Sequence, residues 1–170
     1  SRDGNNYNWV TIGDQTWMAE NLAYLPSVSP SNEGSETDCF YYVHGYQGTN
    51  VTEAKATFNY KTYGVLYNWK ASLSACPLGW HLPSDDEWKQ LEINIGMSQI
   101  YADYQGYREI DEGGKLKESG VDHWQSPNTG ATNESEFNAL PSSFRYHFDG
   151  TFGELLGQDG YWWTATEPFT

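Results

Sequence analysis

The chain has 170 residues, enough for one domain that buries roughly 70% of its unfolded surface. Charged residues make up 19% and aromatics 16%, with 13 Tyr, 8 Trp and 17 Gly, a mixture that suits a loop-rich, β-containing extracellular domain and fits a cytosolic helical enzyme poorly. The formal charge of −14 repels phosphate backbones, which excludes nucleic acid as a partner and disfavours anionic membranes; it serves solubility first and leaves room for Ca²⁺.

In chain order, Asp3-Gly4 gives a turn, and a β-prone run carrying Tyr7, Trp9 and Ile12 ends at Gly13-Asp14. A second run from Gln15 to Leu22 carries Trp17 and Met18, so the two read as a hairpin across Gly13-Asp14. Ser27 to Thr37 is rich in Ser, Pro, Asn and Glu and reads as a surface loop. Phe40 to Tyr46 is aromatic enough for a short strand, and Gly48 to Lys61, with little periodicity, is expected to be the least regular segment. Val65, Leu66, Trp69 and Leu73 fit one face of a short helix.

The stretch from Cys76 to Leu91 carries the strongest local signals. Pro77 and Gly79 mark a turn, Trp80 and Leu82 flank His81 in a short strand, and Pro83 stops it. Ser84 reads as an N-cap, and Glu87 completes a capping box. Asp85 and Asp86 put negative charge in the first turn, where the helix dipole favours it. Trp88, Leu91 and Ile95 form one apolar face, and Gly96 stops the helix. Met97 to Ile110 holds one further helical turn, Gly113-Gly114 breaks the pattern, and Lys115 to Lys117 is short and extended. After a polar loop from Gly120 to Glu136, three β-prone runs follow: Phe137 to Leu140, Ser143 to Phe148 and Gly160 to Thr166. The chain holds no internal repeat and no apolar run long enough for a membrane span. Any secretion signal is expected to have been removed or to lie outside this sequence. The expected class is α+β, with two short helices beside small antiparallel sheets.

Several ordered motifs carry a family resemblance. Trp17-Met18-Ala19-Glu20-Asn21-Leu22, Tyr63-Gly64-Val65-Leu66-Tyr67-Asn68-Trp69 and Cys76-Pro77-Leu78-Gly79-Trp80-His81-Leu82-Pro83-Ser84 with Glu87-Trp88 lead. Gly114-Lys115-Leu116-Lys117, Trp124, Asn133, Phe137-Asn138-Ala139-Leu140-Pro141, Arg145, Gly150, Phe152 and Trp162-Trp163-Thr164-Ala165-Thr166-Glu167 follow. Together they resemble the Fibrobacter succinogenes major paralogous domain. The resemblance implies a C-type-lectin-like fold related to the formylglycine-generating enzymes, in a single domain over residues 1–170. It implies surface or secreted bacterial proteins, often lipoprotein-anchored. Glu136 and Ser142-Ser143 stand where glycines are usual in that family, so the turn there is expected to differ locally. Similar domains continue past the point where this sequence stops, so the C-terminal strand or strands are expected to be missing. A strand supplied by another polypeptide would then make the chain a homo-oligomer or fibre subunit by strand exchange.

Candidate chemistry is sparse. Glu20, Asp111, Glu112, Glu134 and Glu154 could supply a glycosidase pair, but no spacing selects two of them. His81 is expected to be buried and hydrogen-bonded, and His44, His123 and His147 show no ligand spacing. No enzymatic activity and no required cofactor are expected. The calcium-lectin signatures Glu-Pro-Asn and Trp-Asn-Asp are lacking, with Glu167-Pro168-Phe169 the nearest run. A structural Ca²⁺ would draw on Asp111, Glu112, Asp122, Asn128 and Asn133. Trp124, Tyr146, Phe148, Tyr161 and Trp162 fall in loops or strand ends near the expected ligand face and are the candidates for stacking on a sugar or anchoring a protein partner. Trp162 and Trp163 should point to opposite faces of a strand. Trp17, Trp69, Trp80 and Trp88 are assigned to the core. Cys39 and Cys76 form a disulfide candidate in an oxidising compartment, with free thiols or a pairing outside the chain as alternatives. The leading expectation is a non-enzymatic extracellular module on the bacterial outer surface, for adhesion or structure, with a glycan or protein as partner. A carbohydrate-binding module linked to polysaccharide use is the first alternative. A divergent enzyme of the formylglycine-generating type is the second.

Overall fold

The computed structural model describes residues 4–108 and 110–167. The structure is mixed α/β, with small antiparallel sheets and short helices joined by long irregular segments. Two compact units share the chain. Among the described residues, one comprises 4–6, Asn21–Leu82 and Pro141–Trp163; the other comprises Tyr7–Glu20, Pro83–Leu140 and 164–167.

The second unit begins with the expected hairpin. Strand β1 (Trp9–Ile12) pairs with β2 (Gln15–Met18), Ile12 opposite Gln15 and Val10 opposite Trp17. Gly13 opens the two-residue turn at φ +61°, which a glycine adopts without steric cost. Trp17 faces inward against Trp88, with ring centroids 4.8 Å apart, and Phe137 lies 6.0 Å from both. Ile12, Leu91 and Ala139 complete this core.

Leu91 and Trp88 come from the helix of Asp85–Asn94, whose start follows from its first residues. The Ser84 hydroxyl accepts from the Glu87 N–H, and the Glu87 carboxylate accepts from the Ser84 N–H at 2.8 Å. This capping box contributes about 1 kcal/mol. A further free donor of the first turn, the Asp85 N–H, donates to the Thr166 hydroxyl at 2.9 Å, and Ala165 N–H donates to the Pro83 carbonyl at 2.8 Å. The chain near Thr166 thus closes the helix start, and no strand ladder forms there. The expected strand over Gly160 to Thr166 is absent among the described residues, and Trp162 and Trp163 are both exposed. Phe137 to Leu140 and Ser143 to Phe148 are each reduced to one bridge, Lys117 to Ala139 and Arg145 to Phe152.

The first unit packs Leu25, Val28, Tyr41, Val43, Ala54, Val65 and Ala71. Its sheet is a two-residue pairing of Tyr41–Tyr42 with Leu66–Tyr67. The segment expected to be least regular, Gly48 to Lys61, folds instead into helices Val51–Ala56 and Phe58–Tyr63. Side-chain caps explain them: the Asn50 Oδ1 accepts from the Thr52 and Glu53 N–H groups, and the Thr57 hydroxyl accepts from the Tyr60 N–H. At six residues each, these helices are too short to show an apolar period. The helix expected from Val65 starts only at Trp69 and runs to Ala75, because the Asn68 amide caps it through the Ala71 N–H. Two one-turn helices complete the set, Gln99–Ala102 as expected and Glu112–Leu116 across the expected glycine break. Gly114 is there for space: a Cβ would lie 2.2 Å from the Gly130 carbonyl oxygen.

Two departures from the glycine pattern have a backbone consequence. Glu136 (φ +59°) and Ser143 (φ +56°) both occupy the left-handed region that favours glycine. His81 is exposed and Trp80 to Leu82 forms no strand, so the turn after Pro77 is not braced by a buried imidazole. Trp17 is buried and Trp88 packs on its core, as expected, while Trp69 and Trp80 are half-buried.

Candidate functional site

The segment Pro141–Trp163 of the first unit carries an exposed row of aromatic rings. Its local geometry follows from alternation. Gly153 N–H donates to the Phe144 carbonyl at 2.8 Å, Arg145 bridges Phe152, and Tyr146 N–H donates to the Thr151 carbonyl at 2.9 Å. In this short antiparallel arm, residues 144 and 146 point one way and 145 the other. Phe144 and Tyr146 then meet edge to face at 4.6 Å, and Phe148 continues the row 5.2 Å from Tyr146. On the other side, the turn over 155–159 returns the chain, Ser143 N–H donates to the Asp159 carbonyl, and Tyr161 arrives 4.8 Å from Phe144. Phe148 is 70% exposed, Tyr161 54% and Tyr146 37%, while Phe144 is half-buried as the wedge between them.

Arg145, pointing away from the row, ties the arm down. Its guanidinium donates to the Ser31 carbonyl at 2.7 Å and the Glu33 carbonyl at 3.1 Å, and stands 4.6 Å above the Tyr42 ring. A second tie is His44, whose Nε2 lies 3.2 Å from the Gly153 carbonyl and whose ring packs 4.9 Å from Phe152. A carbonyl only accepts, so Nε2 carries the hydrogen and Nδ1 is the site a proton would take. Burial pushes the His44 pKa down, against a smaller upward pull from the Gly153 carbonyl. A folded pKa below the unfolded value near 6.5 means full stability above that pH and a loss as pH falls through the folded value. Thermal melts from pH 7.5 to 5 are expected to show a falling Tm for the wild type, and part of that fall should vanish in His44→Asn. Equal slopes for the two proteins would refute the tie.

Carboxylates stand at both ends of the row. Asp149 follows Phe148 and accepts from the Thr151 N–H at 2.9 Å and hydroxyl at 2.8 Å, which holds its carboxyl below the usual range. The Tyr161 hydroxyl donates to Asp159 at 3.4 Å.

Of the five ring candidates, Tyr146, Phe148 and Tyr161 are brought together, with Phe144 an unanticipated member. The signal for it was the Phe-x-Tyr-x-Phe alternation. Trp162 is exposed beside Tyr161 in sequence, and the Trp163 indole donates to the Tyr67 carbonyl at 2.7 Å. Trp124 does not belong to the row. It is 8% exposed in the other unit, its indole N–H donating to the Ala139 carbonyl at 2.9 Å with Lys117 over its ring, so the expectation of an exposed loop tryptophan is corrected.

Four of the five candidate calcium ligands have separate structural partners. Asp111 pairs with Lys115 at 2.8 Å, and buried Glu112 accepts from the Ile110 and Asp111 N–H groups. Asn128 donates to the Glu118 and Gly120 carbonyls, Asn133 accepts from the Asn138 N–H, and Asp122 is exposed. Among the described residues no group of three or more His, Cys, Asp or Glu is placed to hold a metal ion. Of Glu167-Pro168-Phe169, the last two lie outside the described residues.

Cys39 and Cys76 are both free thiols in the structure, the alternative held open beside the disulfide candidate. The Cys39 thiol donates to the Lys70 carbonyl in the first turn of the helix Trp69–Ala75, and Cys76 caps its other end. Burial pushes the Cys76 thiol pKa up.

No helix among the described residues is long and apolar enough to cross a membrane. The Fibrobacter succinogenes major domain family matches residues 10–170. No curated protein and no solved structure matches the chain.

Proposed function

The chain belongs to the Fibrobacter succinogenes major domain family, and from that premise and the aromatic row we propose a non-enzymatic adhesion module of the bacterial outer surface, on a C-type-lectin-like scaffold, that binds carbohydrate. The observation that carries this reading is the row itself. Phe148, Tyr146 and Tyr161 present ring area to solvent around the Phe144 wedge, with a carboxylate side chain at each end of the row. Sugars offer one apolar C–H face and a rim of hydroxyl donors. Rings take the first and carboxylates accept from the second. The arm is tied by Arg145 and His44 before any ligand arrives, so little ordering entropy opposes binding.

A glycan array tests this. Wild-type chain is expected to bind a reproducible subset of glycans, and Tyr146→Ala and Tyr161→Ala to weaken that binding about tenfold each, the value of roughly 1.4 kcal/mol per lost ring contact. Undiminished binding by a folded Tyr146→Ala/Tyr161→Ala double variant would sink the proposal.

A further inference from the structure

We propose that the row takes a single, soluble chain of uncharged sugars, and that it discriminates against both flat crystalline polysaccharide and acidic glycans. This rests on the carbohydrate reading above. Ring pitch disfavours a flat ligand. Successive rings along Phe148, Tyr146, Phe144 and Tyr161 are inclined at 47°, 76° and 68°. A crystalline polysaccharide face is planar and needs coplanar rings beneath it. Rings turned against one another at each step of 4.6 to 5.2 Å meet the faces of a strand that is free to twist.

Charge disfavours an acidic ligand. Asp149 at one end accepts from the Thr151 N–H and hydroxyl through Oδ1 alone, and Asp159 at the other accepts from the Tyr161 hydroxyl. Both remain acceptors for sugar hydroxyls and both repel carboxylate or sulfate groups. The cation nearest in sequence, Arg145, points to the other side and is occupied by two backbone carbonyls and the Tyr42 ring. His147 packs edge-on to Phe148 at 5.3 Å, where it serves as further ring surface. The chain's net charge of −14 adds a repulsive field for polyanions.

The experiment is affinity electrophoresis of the native chain at pH 7.5 through gels holding soluble mixed-linkage glucan, galactomannan or polygalacturonate, with depletion by microcrystalline cellulose alongside. Retardation by at least one neutral polymer, with no retardation by polygalacturonate and no depletion by cellulose, is expected. Retardation by polygalacturonate at least as strong as by the neutral polymers, or depletion by cellulose, overturns the ligand class while leaving carbohydrate binding standing. No interaction with any of these polymers, nor with any glycan on the array, overturns carbohydrate binding itself. A folded Asp149→Asn/Asp159→Asn variant should lose neutral-glycan affinity severalfold and narrow the discrimination against polygalacturonate. Unchanged discrimination would refute the role given to the carboxylates.

Discussion

Gly150→Ala is expected to cost about 3 kcal/mol or more and to displace the aromatic row, because two independent penalties meet at one position. Gly150 is buried at φ +76°, a conformation that costs an L-residue with a side chain roughly 1 kcal/mol. A Cβ there would also lie 2.0 Å from the Ser31 carbonyl oxygen, 2.7 Å from the Ser31 carbonyl carbon and 2.9 Å from the Asn32 Cα. These are main-chain atoms, so no rotamer change relieves the clash. The carbonyl in question is also the one that accepts from the Arg145 guanidinium, and the Gly150 N–H itself donates to the Tyr146 carbonyl. Moving either backbone away therefore loosens the tie that aims the rings. The natural comparison is Gly79→Ala, where φ is +86° but nothing lies within 4 Å of the new methyl. Only the conformational penalty applies there. Denaturant titrations of the two variants should differ by about 2 kcal/mol, and near-UV circular dichroism should change for Gly150→Ala alone. Equal stabilities would refute the close approach.

How much of this was legible beforehand depends on how far each signal reaches along the chain. The hairpin at Gly13-Asp14 and the helix opened by Ser84 and Glu87 were legible, because turn, cap and apolar period all lie within a few residues of one another. The helices capped by Asn50 and Thr57 were not. Each is under two turns, its stability comes from burying Ala54 and Tyr63, and the cap residues look like ordinary loop polar groups until the helix is seen. Gly114 misled for a related reason. In sequence a Gly-Gly pair reads as a breaker, whereas here one of them makes room for the Gly130 carbonyl, a contact 16 positions away in the chain. The β-prone runs after Phe137 overstate the sheet because their aromatic content serves ring-on-ring contacts and not ladders. For the same reason three of the five candidate rings were found from position in the chain, but not Phe144, which joins them, nor Arg145 and His44, whose partners are backbone carbonyls that sequence does not mark. Trp124 shows the converse: a loop tryptophan looks exposed until its indole N–H is seen to donate to the Ala139 carbonyl.

The second large effect is expected in the other unit. Leu91 is fully buried, a neighbour of Ile12, Trp17, Phe137 and Ala139, with Val10, Trp88, Ile95 and Leu116 packed around that cluster. Leu91→Ala removes three carbons from the centre of this group, and the lost transfer free energy plus the cavity left behind amount to about 2–5 kcal/mol. The upper half of that range applies where the walls cannot collapse. Here they are rigid: Trp17 and Trp88 are held against each other and against Phe137 at tilted and edge-on angles, and the Trp17 indole donates to the Gln15 side chain, which itself donates to the Glu87 carbonyl. A ring system fixed at both ends cannot slide into the void. Urea unfolding followed by tryptophan fluorescence is expected to show a lower midpoint with an unchanged slope, since the surface exposed on unfolding barely alters. Leu78→Ala is the control, because Leu78 is fully exposed and its truncation should stay within about 0.5 kcal/mol. Leu91→Met, which nearly conserves volume, should recover most of the loss. A Leu91→Ala midpoint no lower than that of Leu78→Ala would mean that the Trp17–Trp88–Phe137 cluster is not the core on which this unit's stability rests.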